Sequence, residues 1–274
     1  MVLILIALLL AVGYTFLFHL IPLNNWFLFL WIPLSIISGI LTVLIYLVTY
    51  FRFASRKKPL GKYRHFILRQ IVNIAAGYTN IKVYAEGREN IPDDPHFVVY
   101  ANHKSNMDPL ILYLALNRRV SIIGKKSLFQ NPIMKNIAAT YAAVAMDREN
   151  DREALKSLLV AIKQVKDGIP MIIFPEGWIK TRDVEEMVNL RAGAYKLAIK
   201  SQGTILPVSI IGSSEISRKK LHQRKNIKVI IHKPIPYEEY KDLNSTKIGL
   251  QVEELINETV KKNTVKEWKQ WKKY

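Results

Sequence analysis

No cysteine occurs in the 274 residues. That excludes a disulfide, a thiol nucleophile and a cysteine-ligated zinc, and it suits a reducing compartment. Acidic residues are scarce beside basic ones, 22 against 40, which leaves a net charge of +18. Residues 1–51 hold no Asp, Glu, Lys or Arg, so all of that net charge lies on residues 52–274. No Gly-x-Ser-x-Gly nucleophile elbow is present, which argues against a serine hydrolase even though Ser105 stands close to His103. There is no internal repeat and no low-complexity linker.

The charge split reads as a membrane segment followed by a basic globular domain. Two apolar runs, Met1 to Pro22 and Trp26 to Phe51, are separated by Leu23, Asn24 and Asn25. Each is long enough for a hydrocarbon core of about 30 Å, which takes about 20 helical residues. Neither run has a polar face, unlike the hairpin of a soluble core. Without a basic n-region, and with a second run too long for an h-region, the pair reads as an anchor and not a cleaved signal. Two arrangements fit it: a transmembrane hairpin, or two helices dipping into one leaflet with Pro22 and Pro33 bending them. Arg52, Arg56, Lys57, Lys58, Lys62 and Arg64 mark the exit as cytoplasmic. A basic surface fits nucleic acid, anionic lipid or an acidic protein, and the anchor favours an anionic phospholipid membrane over nucleic acid.

Residues 52–80 read as a basic linker with an amphipathic helix, in which Phe66, Ile67, Ile71, Ile74 and Ala75 recur at helical spacing. Short apolar runs then alternate with helical stretches over residues 81–243. The runs are Ile81 to Tyr84, Phe97 to Tyr100, Val120 to Ile123, Ala142 to Met146, Met171 to Phe174, Ile205 to Ile211 and Ile227 to Ile231. Helices are predicted near Leu110 to Leu116, Asn131 to Ala139, Asp151 to Lys166 and Leu190 to Lys200. This alternation predicts an α/β domain with a largely parallel sheet, whose strand ends are where ligands bind. Residues 244–274 read as a basic C-terminal helix, either a solvated end or, through Trp268 and Trp271, a second interfacial contact.

The chemistry gathers at the ends of these runs. Phe97 to Tyr100 leads into Asn102 and His103, and Asp108 follows five positions after the histidine. An imidazole oriented by a carboxylate takes a proton from a hydroxyl near neutral pH. Five steps along a continuous helix put the two side chains on different faces, so they meet only across a turn or a helix start. Pro109 suits the first turn of a helix, and the plainer alternative is a capping Asp108 beside a hydrogen-bonded His103. Arg148 follows another run in the sequence MDR, and Glu176 and Gly177 follow a third, after Pro175. A guanidinium there binds a phosphate bidentately or pairs with Asp147 or another acid, and a Pro-Glu-Gly turn thrusts the carboxylate out of the strand, as a plain turn or as part of a site.

Together, Asn102, His103 and Asp108, then KKSLFQNP to MDR, then FPEG, then ILPV resemble the four ordered motifs of the glycerolipid acyltransferases, the 1-acylglycerol-3-phosphate acyltransferase family. The resemblance runs over Phe97 to Gly212, and the N-terminal apolar pair is also like bacterial members. It implies an α/β, acyltransferase-type domain with a largely parallel mixed sheet flanked by helices, preceded by a two-helix membrane hairpin. It implies acyl transfer from an acyl thioester, acyl-CoA or an acyl carrier protein, to a hydroxyl of a lysophospholipid, with no metal, no other cofactor and no acyl-enzyme intermediate. By the same resemblance His103 is the general base and Asp108 the carboxylate that orients it. Arg148 holds the acceptor phosphate, and Lys126 introduces the second motif. Glu176 and Gly177 contact the glycerol part or hold the site's shape, and Pro207 lines the acyl or donor path. Backbone amides near Asn102 to Ser105 are the candidates for an oxyanion site.

The sequence departs from the family pattern where threonine and arginine usually follow the third motif's glycine. Trp178 and Ile179 stand there, and Lys180 and Arg182 are the nearest replacements, although a lysine cannot reproduce a bidentate fork. Lys135 and Ala142 replace frequent glycines in the second motif. The expected activity is a membrane-bound O-acyltransferase making phosphatidic acid from lysophosphatidic acid on the cytoplasmic face. The alternatives are another lysophospholipid or glycerol 3-phosphate as acceptor, and a non-catalytic lipid-binding protein.

Overall fold

The structure, a computed structural model, describes residues 2–20, 28–56, 59, 61–147 and 149–263. Two apolar helices lead, α1 (Val2–His19) and α2 (Leu28–Ala54). Their backbones approach closely at Gly39, where an added Cβ would stand 2.5 Å from the carbonyl oxygen of Ala7. Small residues at such a crossing let helices pack without a water-driven core. Tyr14 and Thr42 add a hydroxyl pair at 2.9 Å across it. Outward, the helices expose large apolar side chains such as Leu9, Phe16, Leu30 and Ile37. Among the described residues, 30–54 form the one helix long and apolar enough to cross a membrane, and α1 is shorter. Helix α3 (Lys62–Tyr78) follows and buries Ile67, Val72 and Ala76.

The seven apolar runs all form strands: β1 (Ile81–Glu86), β2 (Phe97–Ala101), β3 (Ser121–Lys125), β4 (Val144–Met146), β5 (Met171–Ile173), β6 (Thr204–Ile211) and β7 (Lys225–Ile231). They make one sheet in the order β1-β7-β6-β2-β5-β3-β4. Neighbours are parallel except β6 and β7, so β1 and β7 run opposite to the other five. Two of the runs are shorter than predicted. Strand β5 ends at Ile173 because Phe174 enters a turn closed by the Gly177 amide on its carbonyl, at 3.0 Å. Strand β4 begins at Val144 because Ala142 takes a left-handed conformation, φ 57°, which no ladder residue adopts.

Alternation along β2 sets the layers. Phe97, Val99 and Ala101 face one core, which also holds Ile111, Leu112 and Leu116 of α4 (Asp108–Leu116). Val98 and Tyr100 face the other, with residues of α6 (Asp151–Lys166), α7 (Lys196–Ser201) and α9 (Ser245–Lys262). A strand buried on both faces reads as a continuous apolar run for this reason. Two further helices, α5 (Pro132–Thr140) and the short α8 (Tyr237–Tyr240), complete the described chain. Helix α5 is started by Asn131, whose side chain accepts the amides of Ile133 and Met134, and it packs against α2. Trp268 and Trp271 lie outside the described residues.

Candidate active site

The end of β2 delivers residues 102–105 to the start of α4, and Asp108 is that helix's first residue. This short path lets His103 and Asp108 meet. His103 Nδ1 lies 2.9 Å from Asp108 Oδ2, and the same oxygen accepts the amides of Lys104 at 2.7 Å and Ser105 at 2.8 Å. An oxygen that already takes two amide donors accepts from the ring as well. Nδ1 therefore carries the proton, and Nε2 keeps the lone pair. Asp108 is fully buried and sits in the first turn of α4. Beneath the imidazole lies Phe174, with ring centroids 4.2 Å apart.

His103 forms part of the wall of a cavity of about 710 Å³. Leu68 and Val72 of α3, Leu110 and Tyr113 of α4, strand β3, and Met134, Ile137 and Ala138 of α5 line it, with Trp178, Ile179 and Arg182 beyond the third motif. The lining is mainly apolar, which fits a hydrocarbon chain and not a sugar or a nucleotide.

Glu176 is fully buried and turned away from this cavity. Its Oε1 accepts the His103 amide at 2.8 Å, and its Oε2 accepts Lys104 Nζ at 2.8 Å and the Val188 amide at 3.3 Å. Gly177 has φ 79°, and an added Cβ would stand 3.2 Å from Arg191 Nε. Asn102 is buried as well: its amide nitrogen donates to the carbonyls of Glu185 and Ile210, and its oxygen accepts the Ile210 amide. Asn102 thus ties β2 to β6. The amides of His103, Lys104 and Ser105 are all engaged by Glu176 and Asp108. The expected oxyanion site does not lie on them, because carboxylates occupy the donors. Pro207 is buried in β6 opposite Tyr100 and is not among the residues lining the cavity. It stands between the Ile205–Ile235 bridge and the β6–β7 ladder, and its carbonyl accepts the His232 amide at 3.0 Å.

Lys126 is exposed and pairs with Asp147 at 3.2 Å. Arg148 lies outside the described residues. Lys180 Nζ stands 3.1 Å from the centroid of the Trp178 indole, and the guanidinium carbon of Arg191 stands 4.6 Å from it. Lys180, Arg182 and Arg191 form no ion pair among the described residues. Residue-type reasoning overlooked Lys104, Phe174, Glu185 and Arg191. Glu185 accepts from Ser214 Oγ at 2.5 Å and from the amides of Gly212 and Ser214 at 3.1 Å. Burial pushes its carboxyl above the usual range despite those bonds. Only Phe174, the residue just before the Pro-Glu-Gly turn, carried a local signal.

A largely parallel, mixed sheet presenting a histidine–carboxylate pair to an apolar cavity defines the class: an α/β domain of the acyltransferase type. The family model called Acyltransferase matches residues 82–211. The 1-acyl-sn-glycerol-3-phosphate acyltransferase of Bacillus subtilis is 30% identical over 195 residues, which cover 71% of this chain and 92% of that protein. That of Borreliella burgdorferi is 28% identical over 166 residues, covering 61% of this chain and 66% of that protein. A chloroplastic counterpart from Arabidopsis thaliana is 30% identical over 179 residues, 64% of this chain, and the match spans about half of its length, 49%. The crystal structure of the 1-acyl-sn-glycerophosphate (LPA) acyltransferase, PlsC, from Thermotoga maritima shares the fold, with a TM-score of 0.63, 25% identity and coverage of 80% of this chain and 95% of that one. The chain belongs to the 1-acylglycerol-3-phosphate acyltransferase family.

Proposed function

We propose that the protein is a membrane-bound O-acyltransferase that moves a fatty acyl group from an acyl thioester to the free hydroxyl of lysophosphatidic acid, giving phosphatidic acid. The observation that carries this reading is the His103–Asp108 pair, at 2.9 Å, in the wall of a mainly apolar cavity. His103 Nε2 takes the hydroxyl proton as the oxygen attacks the thioester carbonyl carbon. The new C–O bond forms, the tetrahedral intermediate collapses with cleavage of the C–S bond, and the imidazolium returns its proton to the departing thiolate. The acyl chain occupies the cavity between β3, α3, α4 and α5. The phosphate lies among Arg182, Lys180 and Arg191, with Arg148 and Lys126 contributing from the second motif. Asn102, Glu176 and Gly177 act through the shape of the loop that carries His103, and Pro207 acts through the sheet.

In this reading α1 and α2 anchor residues 81–243 at the cytoplasmic face of an anionic membrane, residues 52–80 lie at the interface, and residues 244–274, whose described helix is α9, are a basic C-terminal segment. The donor is acyl-CoA or an acyl carrier protein. A thiol-release assay on the purified, detergent-solubilised protein tests the proposal. It offers lysophosphatidic acid, other lysophospholipids and glycerol 3-phosphate with each donor, and His103→Ala is the blank. Turnover with lysophosphatidic acid supports the reading. Turnover only with another acceptor would tie Trp178 and Ile179 to a different specificity, and none with any pair would point to a lipid-binding protein.

A further inference from the structure

Lys104 follows His103 in the chain, and nothing in its sequence context sets it apart from a solvated loop lysine. Its side chain is nevertheless fully buried, with Nζ 2.8 Å from Oε2 of Glu176, which is equally buried. Burying two opposite charges is not a route to stability, since a well-packed apolar pair generally serves as well or better. The reason for this pair lies in what it joins. The Lys104 amide donates to Asp108 Oδ2 at 2.7 Å, and the other oxygen of Glu176 accepts the His103 amide at 2.8 Å. The His103 ring meets Asp108 at 2.9 Å. These links close a circuit: Asp108 to the His103 ring, the His103 backbone to Glu176, Glu176 to the Lys104 ammonium, and the Lys104 backbone to Asp108. Without the ammonium, Oε2 of Glu176 would be held, among the described residues, by the Val188 amide alone, at 3.3 Å.

We propose that Lys104 is a positioning residue: it fixes the Glu176 carboxylate that receives the His103 amide, and so sets the imidazole against Asp108 and the acceptor hydroxyl. The Lys104 ammonium is fully buried and bonded to Glu176, so it is not a substrate ligand. The inference rests on His103 being the general base. Displacing a reacting group by about 1 Å costs on the order of 100-fold in rate.

The test compares Lys104→Met, Lys104→Arg and the double variant Lys104→Met/Glu176→Gln for kcat, acceptor KM and thermal unfolding. In parallel, the ring nitrogens of His103 are followed by NMR in histidine-labelled protein. The glutamine introduced by Glu176→Gln keeps an acceptor for the His103 amide but has no cation to fix it. Lys104→Met should lower kcat about 100-fold with acceptor KM within about twofold, and should average the two ring tautomers. Lys104→Arg should recover part of kcat. The double variant should regain the unfolding temperature but not the turnover. Wild-type kcat in either folded methionine variant, or a loss confined to KM, overturns the proposal. If Lys104→Met does not fold, the double variant decides alone. If the wild type transfers to no acceptor, the activity reading fails, and the nitrogen signals still decide: a single tautomer kept in the folded variant overturns the positioning role.

Discussion

The imidazole of His103 lies almost flat on the phenyl ring of Phe174, centroids 4.2 Å apart and planes inclined by 17°. Phe174 comes from the end of β5 and His103 from the end of β2, which are adjacent parallel strands. Parallel neighbours end on the same side of a sheet, so each supplies part of the same site. The ring is thus held by a stacking face, a carboxylate on Nδ1 and a backbone bond to Glu176, and Nε2 keeps its lone pair.

Asp108→Asn should keep the protein folded and remove most turnover. Its oxygen accepts the amides of Lys104 and Ser105, which asparagine Oδ1 can also do. With its oxygen there, Nδ1 keeps its acceptor and the NH2 takes the buried Oδ1 position, so what is lost is the negative charge that steadies the imidazolium. A loss of kcat of about 100-fold, the low end of what general-base catalysis supplies, is expected, read by thiol release under saturating acceptor. A variant within tenfold of wild type would mean that His103 does not act as the base.

The cations beyond the third motif should govern acceptor binding. Trp178 gives Lys180 and Arg191 a common aromatic support beside Arg182, in the stretch where the family usually carries an arginine. Arg191→Ala should raise KM for lysophosphatidic acid about tenfold while leaving donor KM unchanged, in keeping with about 1.5 kcal/mol for a charged hydrogen bond. Trp178→Ala should act in the same direction but less, since a cation–π contact at an exposed ring is worth about 0.5–1 kcal/mol. Equal shifts for acceptor and donor would assign these residues to the loop's architecture.

How much was legible follows from where each signal resides. The His103–Asp108 pairing was readable because it is local: a five-residue step across a helix start marked by Pro109. The seven strands were readable because their apolar runs need no partner to be seen. The reversal of β1 and β7 against the other strands was not, since pairing direction depends on chain paths and not on residue type. Lys104 reads as a loop lysine because its burial is created by Glu176, which arrives from 72 residues away. Arg191 is likewise brought to Trp178 by tertiary structure, through the hydrogen bond its backbone amide donates to the Pro175 carbonyl at 3.0 Å. Residue type places Glu176 near substrate or in support of the site, and only burial reveals that both its oxygens serve protein donors.

Folding stability should fall on acidification partly through His232. Burial alone pushes this imidazole down to about 4 from an ordinary 6.5. A group depressed in the folded state contributes its stability above the unfolded value, near pH 6.5, and loses it as pH falls through about 4. His232 Nε2 lies 2.8 Å from the Ser209 hydroxyl, a contact that glutamine can keep. Thermal unfolding of His232→Gln should therefore decline less than wild type between pH 6.5 and pH 4.5, with similar values at pH 7.5. Parallel curves for the two proteins would exclude His232 as a contributor.

Acyl-chain preference should respond to Gly124. This glycine lies in β3 and lines the cavity, and a Cβ added to it would stand 2.9 Å from the outer ring carbon of Phe129. The contact falls on the far end of a side chain that also lines the cavity, so the ring shifts while the strand stays. Space for the ring lies on the cavity side, where lost volume shortens the chain that fits. Gly124→Ala should leave transfer of short acyl groups near wild type and reduce kcat/KM for the longest accepted chain about tenfold, the discrimination that one methylene's worth of apolar space supports. A chain-length series of acyl donors at fixed lysophosphatidic acid measures it. A uniform decrease across the series would mean that Phe129 moves against the catalytic loop and not into the acyl space.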